Sequence, residues 1–192
     1  MAMLERALQQ SEQHGYEIEA AVQLNNTGLV RACTGDAEQA LAKHQQALQQ
    51  LEALESRDWA AMVKANIGHA LITLGRLDEA EISLNSALET GRTIRYIELV
   101  IHALNGQARI ALERGNLDEV SDLLGEAIKL ARRGENNRLL AESMLLRSQH
   151  QAQIGAHDQA VADWKKATAL QKLLRRKVAE TRPAWLTETP SE

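Results

Sequence analysis

The sequence predicts an all-α chain, and three observations predict it. Apolar residues make up 44% of the 192 and charged residues 25%, so the chain can fold around a core rather than remain disordered. There are five aromatic residues (Tyr16, Trp59, Tyr96, Trp164 and Trp185), no Phe and two prolines. A β-sandwich or barrel would draw on more aromatic and β-branched residues and on more turn breakers, whereas the Ala, Leu, Gln, Glu and Arg that dominate here are helix formers. The third observation is a repeat. Gly35-Asp-Ala-Glu-Gln-Ala40, Gly75-Arg-Leu-Asp-Glu-Ala80, Gly115-Asn-Leu-Asp-Glu-Val120 and Gly155-Ala-His-Asp-Gln-Ala160 set their glycines forty residues apart. Alanine follows each glycine by twelve residues, at 47, 87, 127 and 167, and Ala7 keeps the same register. Self-similarity at a fixed period of this length marks a stacked array.

Each unit reads as two helices around its glycine. In the second, residues 61–74 place Val63, Ile67, Ala70, Leu71 and Leu74 at helical spacing. Gly75 supplies the left-handed conformation that closes a helix end. Asp78 and Glu79 fall in the first turn of the next helix, where carboxylates favour the positive end of its dipole. Ala80, Leu84, Ala87 and Leu88 form its buried stripe. The layout in order is a half unit over 1–15, made of a lone second helix, then pairs at about 17–55, 57–92, 94–134 and 136–181. These form a single array over 1–182, followed by a flexible tail over 183–192 that carries both prolines. Breaks between units fall at 55–58, 91–93 and 134–137, with Thr93 and Asn136 as N-caps. Trp164 stands where earlier units have Leu84 and Leu124 and reads as core. His44 faces the partner helix and also reads as core, Cys33 as a small packing residue, and Trp185 as either exposed or folded over the last helix.

Several function classes are excluded at this level. Cys33 is the only cysteine, so no intrachain disulfide can form. No run approaches 18 apolar residues, and MAMLERALQQ has neither the basic nor the apolar region of a signal peptide, so the expected location is cytoplasmic and no membrane partner is expected. The formal charge of −4 gives no support for nucleic-acid binding. It is uneven, however: residues 1–90 carry 6 basic and 13 acidic side chains, residues 91–192 carry 16 and 13. Lys165, Lys166, Lys172, Arg175, Arg176, Lys177 and Arg182 hold much of the excess, which reads as the solvated face of a terminal helix. The six histidines include no His-Glu-x-x-His, and every glycine is isolated at a turn rather than grouped in a phosphate loop. No catalytic residue, cofactor site or metal site is expected.

The glycine, the alanine four or five residues on, and the alanine seven after that resemble the loop and second helix of the tetratricopeptide repeat. Small residues seven before each glycine (Gly28, Gly68, Ala108 and Ser148) complete the pattern. Leu-Asn-Asn-Thr-Gly at 24–28 and Lys-Ala-Asn-Ile-Gly at 64–68 resemble the opening of the family's longer-period members, as in kinesin light chains and bacterial signalling regulators. The match weakens toward the C-terminus, where Val120 replaces an alanine and Gln107 and Arg147 replace the apolar residue before the small one; the motif thus gives least support to tight packing of the last pair. The resemblance implies a right-handed α-solenoid whose concave wall is lined by the first helices.

On that wall the resemblance places columns holding Asn25 and Asn105, Asn26 and Asn66, and His69, Arg109 and Gln149. These seven are the candidate peptide-binding residues. A side-chain amide donates and accepts at once, so an asparagine ladder can hold an extended backbone; the same side chains can instead bridge neighbouring helices. Arg109 can pair a ligand carboxylate or form a salt bridge with Glu113, one turn on. The carboxylate clamp of the family's chaperone-tail binders is missing, since its places hold Asn25, Leu29, Asn66, Met62 or His102, and Gly106. The expected function is a non-catalytic scaffold that binds a protein or peptide segment in the concave groove. Two alternatives stay open: a regulatory or sensory segment of a larger bacterial signalling or transcription-regulatory protein, and a module that forms homo-oligomers through its terminal helices.

Overall fold

The computed structural model describes residues 2–13 and 15–180; His14, Arg182, Trp185 and the tail over 183–192 lie outside them. Among the described residues there are nine α-helices and no strand: α1 (Ala2–Gln13), α2 (Glu17–Cys33), α3 (Ala37–Ala53), α4 (Arg57–Thr73), α5 (Leu77–Thr93), α6 (Ile97–Arg114), α7 (Leu117–Arg133), α8 (Asn137–Gln153) and α9 (His157–Glu180). Each helix packs on the next. The even helices also touch one another in the series α2, α4, α6, α8, whereas no two odd helices meet. The fold is therefore an α-solenoid with an inner layer of even helices and an outer layer of odd ones.

One local device makes every connection. A residue of positive φ stands at 15, 35, 55, 75, 95, 115, 135 and 155. The amide after each donates to a carbonyl five residues back, at 2.8–3.0 Å, as in Arg76 N to Leu71 O and Ser56 N to Leu51 O. This is the bond pattern that closes a helix through a left-handed residue. Five of these positions are glycine, but Glu55 (φ 53°), Arg95 (φ 57°) and Glu135 (φ 50°) hold the same conformation with a side chain attached. The helix stops there are thus imposed by the array and not by local preference.

The core is three clusters of buried apolar residues along the stack, bridged by the half-buried Leu123 and Leu140. Ala80, Leu84 and Ala87 are fully buried, as the stripe on α5 requires. Leu84 is the wedge between two inner helices. A Cβ added to Gly68 on α4 would lie 2.5 Å from Leu84 Cγ, and one added to Gly106 on α6 would lie 2.7 Å from Leu84 Cδ2. Both positions have to be glycine for the helices to close on that side chain.

Some details depart from the sequence reading. Gly91 is inside α5 rather than in a break; a Cβ there would meet Leu99 Cγ at 3.1 Å. Thr93 ends α5 and caps nothing; the break follows it, with Tyr96 before α6. Asn136 does cap α8, accepting from Leu139 N at 3.0 Å. Cys33 is exposed at the end of α2 and so does not serve as a packing residue. Trp164 is 54% exposed instead of buried, because among the described residues no helix covers α9 in the way that α6 covers Leu84. The last pair is joined by an ion pair as well as by apolar contact. Arg147 on α8 forms a bidentate pair with buried Asp163 on α9, Nε to Oδ2 at 2.6 Å and Nη2 to Oδ1 at 3.0 Å.

Two predictions follow from these contacts. Glu55→Gly, Arg95→Gly and Glu135→Gly should each raise stability by about 0.5–1 kcal/mol, and Gly75→Ala should lower it by about 1 kcal/mol, because only glycine enters the left-handed region at no steric cost; urea denaturation followed by circular dichroism would show the shifts. Asp163→Ala should cost about 1–3 kcal/mol by stranding a mostly buried guanidinium. Limited proteolysis should then cut first between α8 and α9.

Candidate functional site

The inner helices approach so closely that their facing polar residues divide into two sets. Asn25, Asn66 and Asn105 are buried, at 5%, 6% and 0% exposure, and do not line the open wall on which the sequence places them. The small residues Gly28, Gly68 and Gly106 let the backbones close, and the amides fall into the seam. There they bridge helices. Asn66 Nδ2 on α4 donates to Asn25 Oδ1 on α2 at 2.9 Å, and Asn25 Oδ1 also lies 2.9 Å from Nδ1 of the buried His44 on α3. Asn66 Oδ1 lies 3.1 Å from His102 Nε2 on α6. One register further, Ser143 Oγ on α8 lies 2.7 Å from Asn105 Oδ1. A buried polar spine thus ties α2 to α4 to α6, and α6 to α8.

The spine reaches the surface through two histidines. The His69 and His102 rings stack with centroids 4.2 Å apart and planes at 26°. His69 Nε2 lies 3.1 Å from the backbone oxygen of His102, and Arg109 Nη1 lies 3.4 Å from His69 Nδ1. Every bond fits neutral rings: His69 donates from Nε2 and accepts at Nδ1, His102 donates from Nε2, and His44 donates from Nδ1. The electrostatics agree. Burial pulls His44 down to about 4, and burial with the Arg109 charge pulls His69 to about 4. Burial, then His69, Arg138 and Arg109, hold His102 well below the usual histidine value.

The second set is accessible. Asn26 is half-buried and has one long contact, to Gln23 Oε1 at 3.5 Å. Arg109 and Gln149 come together in an open groove of about 650 Å³ between α6 and α8, with Glu113, Glu142, Leu145 and Leu146. Burial pushes the Glu142 carboxyl up, against the opposing effect of Arg138, Arg109 and Asn105. The salt bridge from Arg109 to Glu113 does not form; among the described residues the half-buried Arg109 guanidinium makes no ion pair, and its polar contact is the long one to His69. The structure therefore brings Arg109, His69 and Gln149 to one stretch of wall and leaves Asn26 two helices away. The sequence reading missed the bridging roles of His102 and Ser143, whose signal was the forty-residue register that sets them two or three places from the Asn25 and Asn105 column; His44 is buried against its partner helix, as the sequence reading has it.

Among the described residues no group of three His, Cys, Asp or Glu side chains could hold a metal ion, and no helix is long and apolar enough to cross a membrane.

Residues 18–92 match the family model described as tetratricopeptide repeat. Over that stretch, from α2 into α5, the chain is similar to tetratricopeptide-repeat proteins. Two solved structures are similar to it in fold. One is BtubC (BKLC) from P. vanneervenii, at 15% identity and a TM-score of 0.64, with 91% of this chain and 69% of that chain covered. The other is a Rap protein complexed with competence and sporulation factor, at 17% identity and a TM-score of 0.67, with 93% and 58% covered. The chain thus spans little more than half of the Rap protein's length. No curated protein matches the sequence.

The histidine spine makes stability pH-dependent. A histidine whose folded value lies below its unfolded 6.5 is stabilising above that value, and its contribution is lost as pH falls toward 4. The raised Glu142 acts with the opposite sign in the same window. Three histidines outweigh one carboxyl, so the urea midpoint should stay level above pH 6.5 and fall between 6.5 and 4, and His69→Gln should make that fall shallower.

Proposed function

We propose that this chain is a non-catalytic scaffold that binds a protein or peptide segment along the wall formed by α2, α4, α6 and α8. The observation that carries the proposal is Arg109. Its guanidinium is half-buried in the groove between α6 and α8 and, among the described residues, makes no ion pair, with Glu113 and Glu142 lining the same groove; a charge held this way can take a ligand carboxylate in a bidentate bond. Leu145 and Leu146 give the groove an apolar floor, Gln149 offers an amide to a ligand backbone, and Asn26 and His69 extend the polar wall toward the N-terminal end. Asn25, Asn66 and Asn105 act behind the wall, holding the inner helices at the spacing that the groove needs. The tetratricopeptide match over 18–92 and the similarity to a Rap protein that was crystallised with a factor bound support the reading. The partner carries an acidic side chain or a terminal carboxylate with apolar residues beside it.

Selection of a phage-displayed random peptide library on the immobilised chain tests this. Acidic peptides should be enriched, and Arg109→Gln or Gln149→Ala should weaken them about tenfold, roughly 1.4 kcal/mol, with the circular dichroism spectrum unchanged. Failure to enrich any peptide, or peptides indifferent to both substitutions, would remove the inner wall as the binding surface.

A further inference from the structure

We propose that capture of a carboxylate by Arg109 is coupled to uptake of a proton by Glu142, so that the groove between α6 and α8 takes acidic segments most tightly in mildly acid solution. The proposal rests on the inner-wall reading above and adds how that site is regulated.

The groove brings the two groups together. Arg109 of α6 and Glu142 of α8 line one open space of about 650 Å³, with Glu113, Gln149 and an apolar floor. Neither side chain forms an ion pair among the described residues, although the Arg109 charge acts on Glu142 across the groove. Behind the groove the polar spine has two atoms without a hydrogen-bond partner, Asn105 Nδ2 and His102 Nδ1. Asn105 is fully buried and its Oδ1 already accepts from Ser143, so its Nδ2 lacks an acceptor. His102 Nε2 donates to Asn66 Oδ1, so its Nδ1 lacks a donor. Glu142 is under the influence of Asn105 and stands in the register of His102, one inner helix on. An ionised carboxylate only accepts, whereas the neutral acid offers an acceptor and a donor together. The surroundings of Glu142 thus match its protonated form.

Charge supplies the coupling. Burial pushes the Glu142 carboxyl up, while Arg138 of its own helix and Arg109 and Asn105 of α6 hold it down. Helices α7 and α9 also pack on α8, but no charged group of either acts on Glu142, and Asp163 of α9 is taken up by Arg147. The other titratable groups on this part of the wall are Glu113 and the neutral His69 and His102. A ligand carboxylate seated on Arg109 offsets the guanidinium and sets a like charge opposite Glu142. Both changes push the Glu142 carboxyl further up. By reciprocity a proton on Glu142 tightens the ligand. Affinity therefore rises as pH falls, until the ligand's own carboxylate is protonated near about 4. His69 is the rival proton acceptor, because the same ligand relieves the downward effect of Arg109 on it.

The probe is the acidic peptide most enriched by phage selection on the full chain. Isothermal titration calorimetry in buffers of different ionisation enthalpy reads its affinity and the protons taken up together. From about pH 7.5 to about 5.5 the wild-type affinity should rise about fivefold or more, with net proton uptake. Glu142→Gln, which mimics the neutral acid, should bind at the higher pH as tightly as the wild type does at the lower, and take up no proton. His69→Gln should keep the rise, with circular dichroism showing each variant folded at both pH values. A flat wild-type affinity, or a rise and uptake that survive Glu142→Gln, overturns the inference and leaves the inner-wall reading standing. So does a rise that His69→Gln abolishes. Saturable binding of no peptide at either pH removes that reading and this inference together.

Discussion

The packing of one inner helix against the next is the constraint on which the rest of this molecule depends. Leu84 enters between Gly68 and Gly106 with no room for a methyl group at either. At that separation, polar side chains on facing helices are out of water and must satisfy one another. The Asn25–Asn66–His102 chain does so for most of its groups across three helices, and Ser143 continues it to a fourth by donating to Asn105 Oδ1; His102 Nδ1 and Asn105 Nδ2 are left without a hydrogen-bond partner. A buried polar group without a partner costs on the order of 1–3 kcal/mol, so the spine admits few registers of one helix on the next. Shape comes from the wedge and register from the amides.

This arrangement also explains the state of the surface residues. Arg109 lies at the outer end of the spine, beside two histidines kept neutral by burial, and among the described residues its guanidinium makes no ion pair, its charge acting on Glu142 only across the groove. Electrostatic strength is thereby left facing the groove instead of being consumed inside the fold. At the C-terminal end the same stacking logic acts in reverse. The face of α9 carries Trp164, half-exposed, in the position that internal units bury.

The division between sequence and tertiary structure runs along physical lines. Helix and turn were legible because they rest on local preference and on periodicity. The glycines at 35, 75, 115 and 155 adopt the positive φ that their spacing implies, and Ala80, Leu84 and Ala87 fall on the buried stripe. Even so, Glu55, Arg95 and Glu135 close helices with the same left-handed turn and carry no mark of it, because there the stacked units impose the conformation on residues that do not prefer it.

The candidate site was legible only in part. The register located the inner-wall columns, and Arg109 and Gln149 do meet in one groove. The distance between inner helices then decided which amides face water, and that distance is set by Leu84 and its glycines acting across units forty residues apart. It moved Asn25, Asn66 and Asn105 into the seam, brought His102 and His44 to them, and left Asn26 on the wall. By itself the sequence determined the helices, their order and the small residues that let them close; the tertiary structure decided which polar groups were spent in closing them and which stayed free to bind.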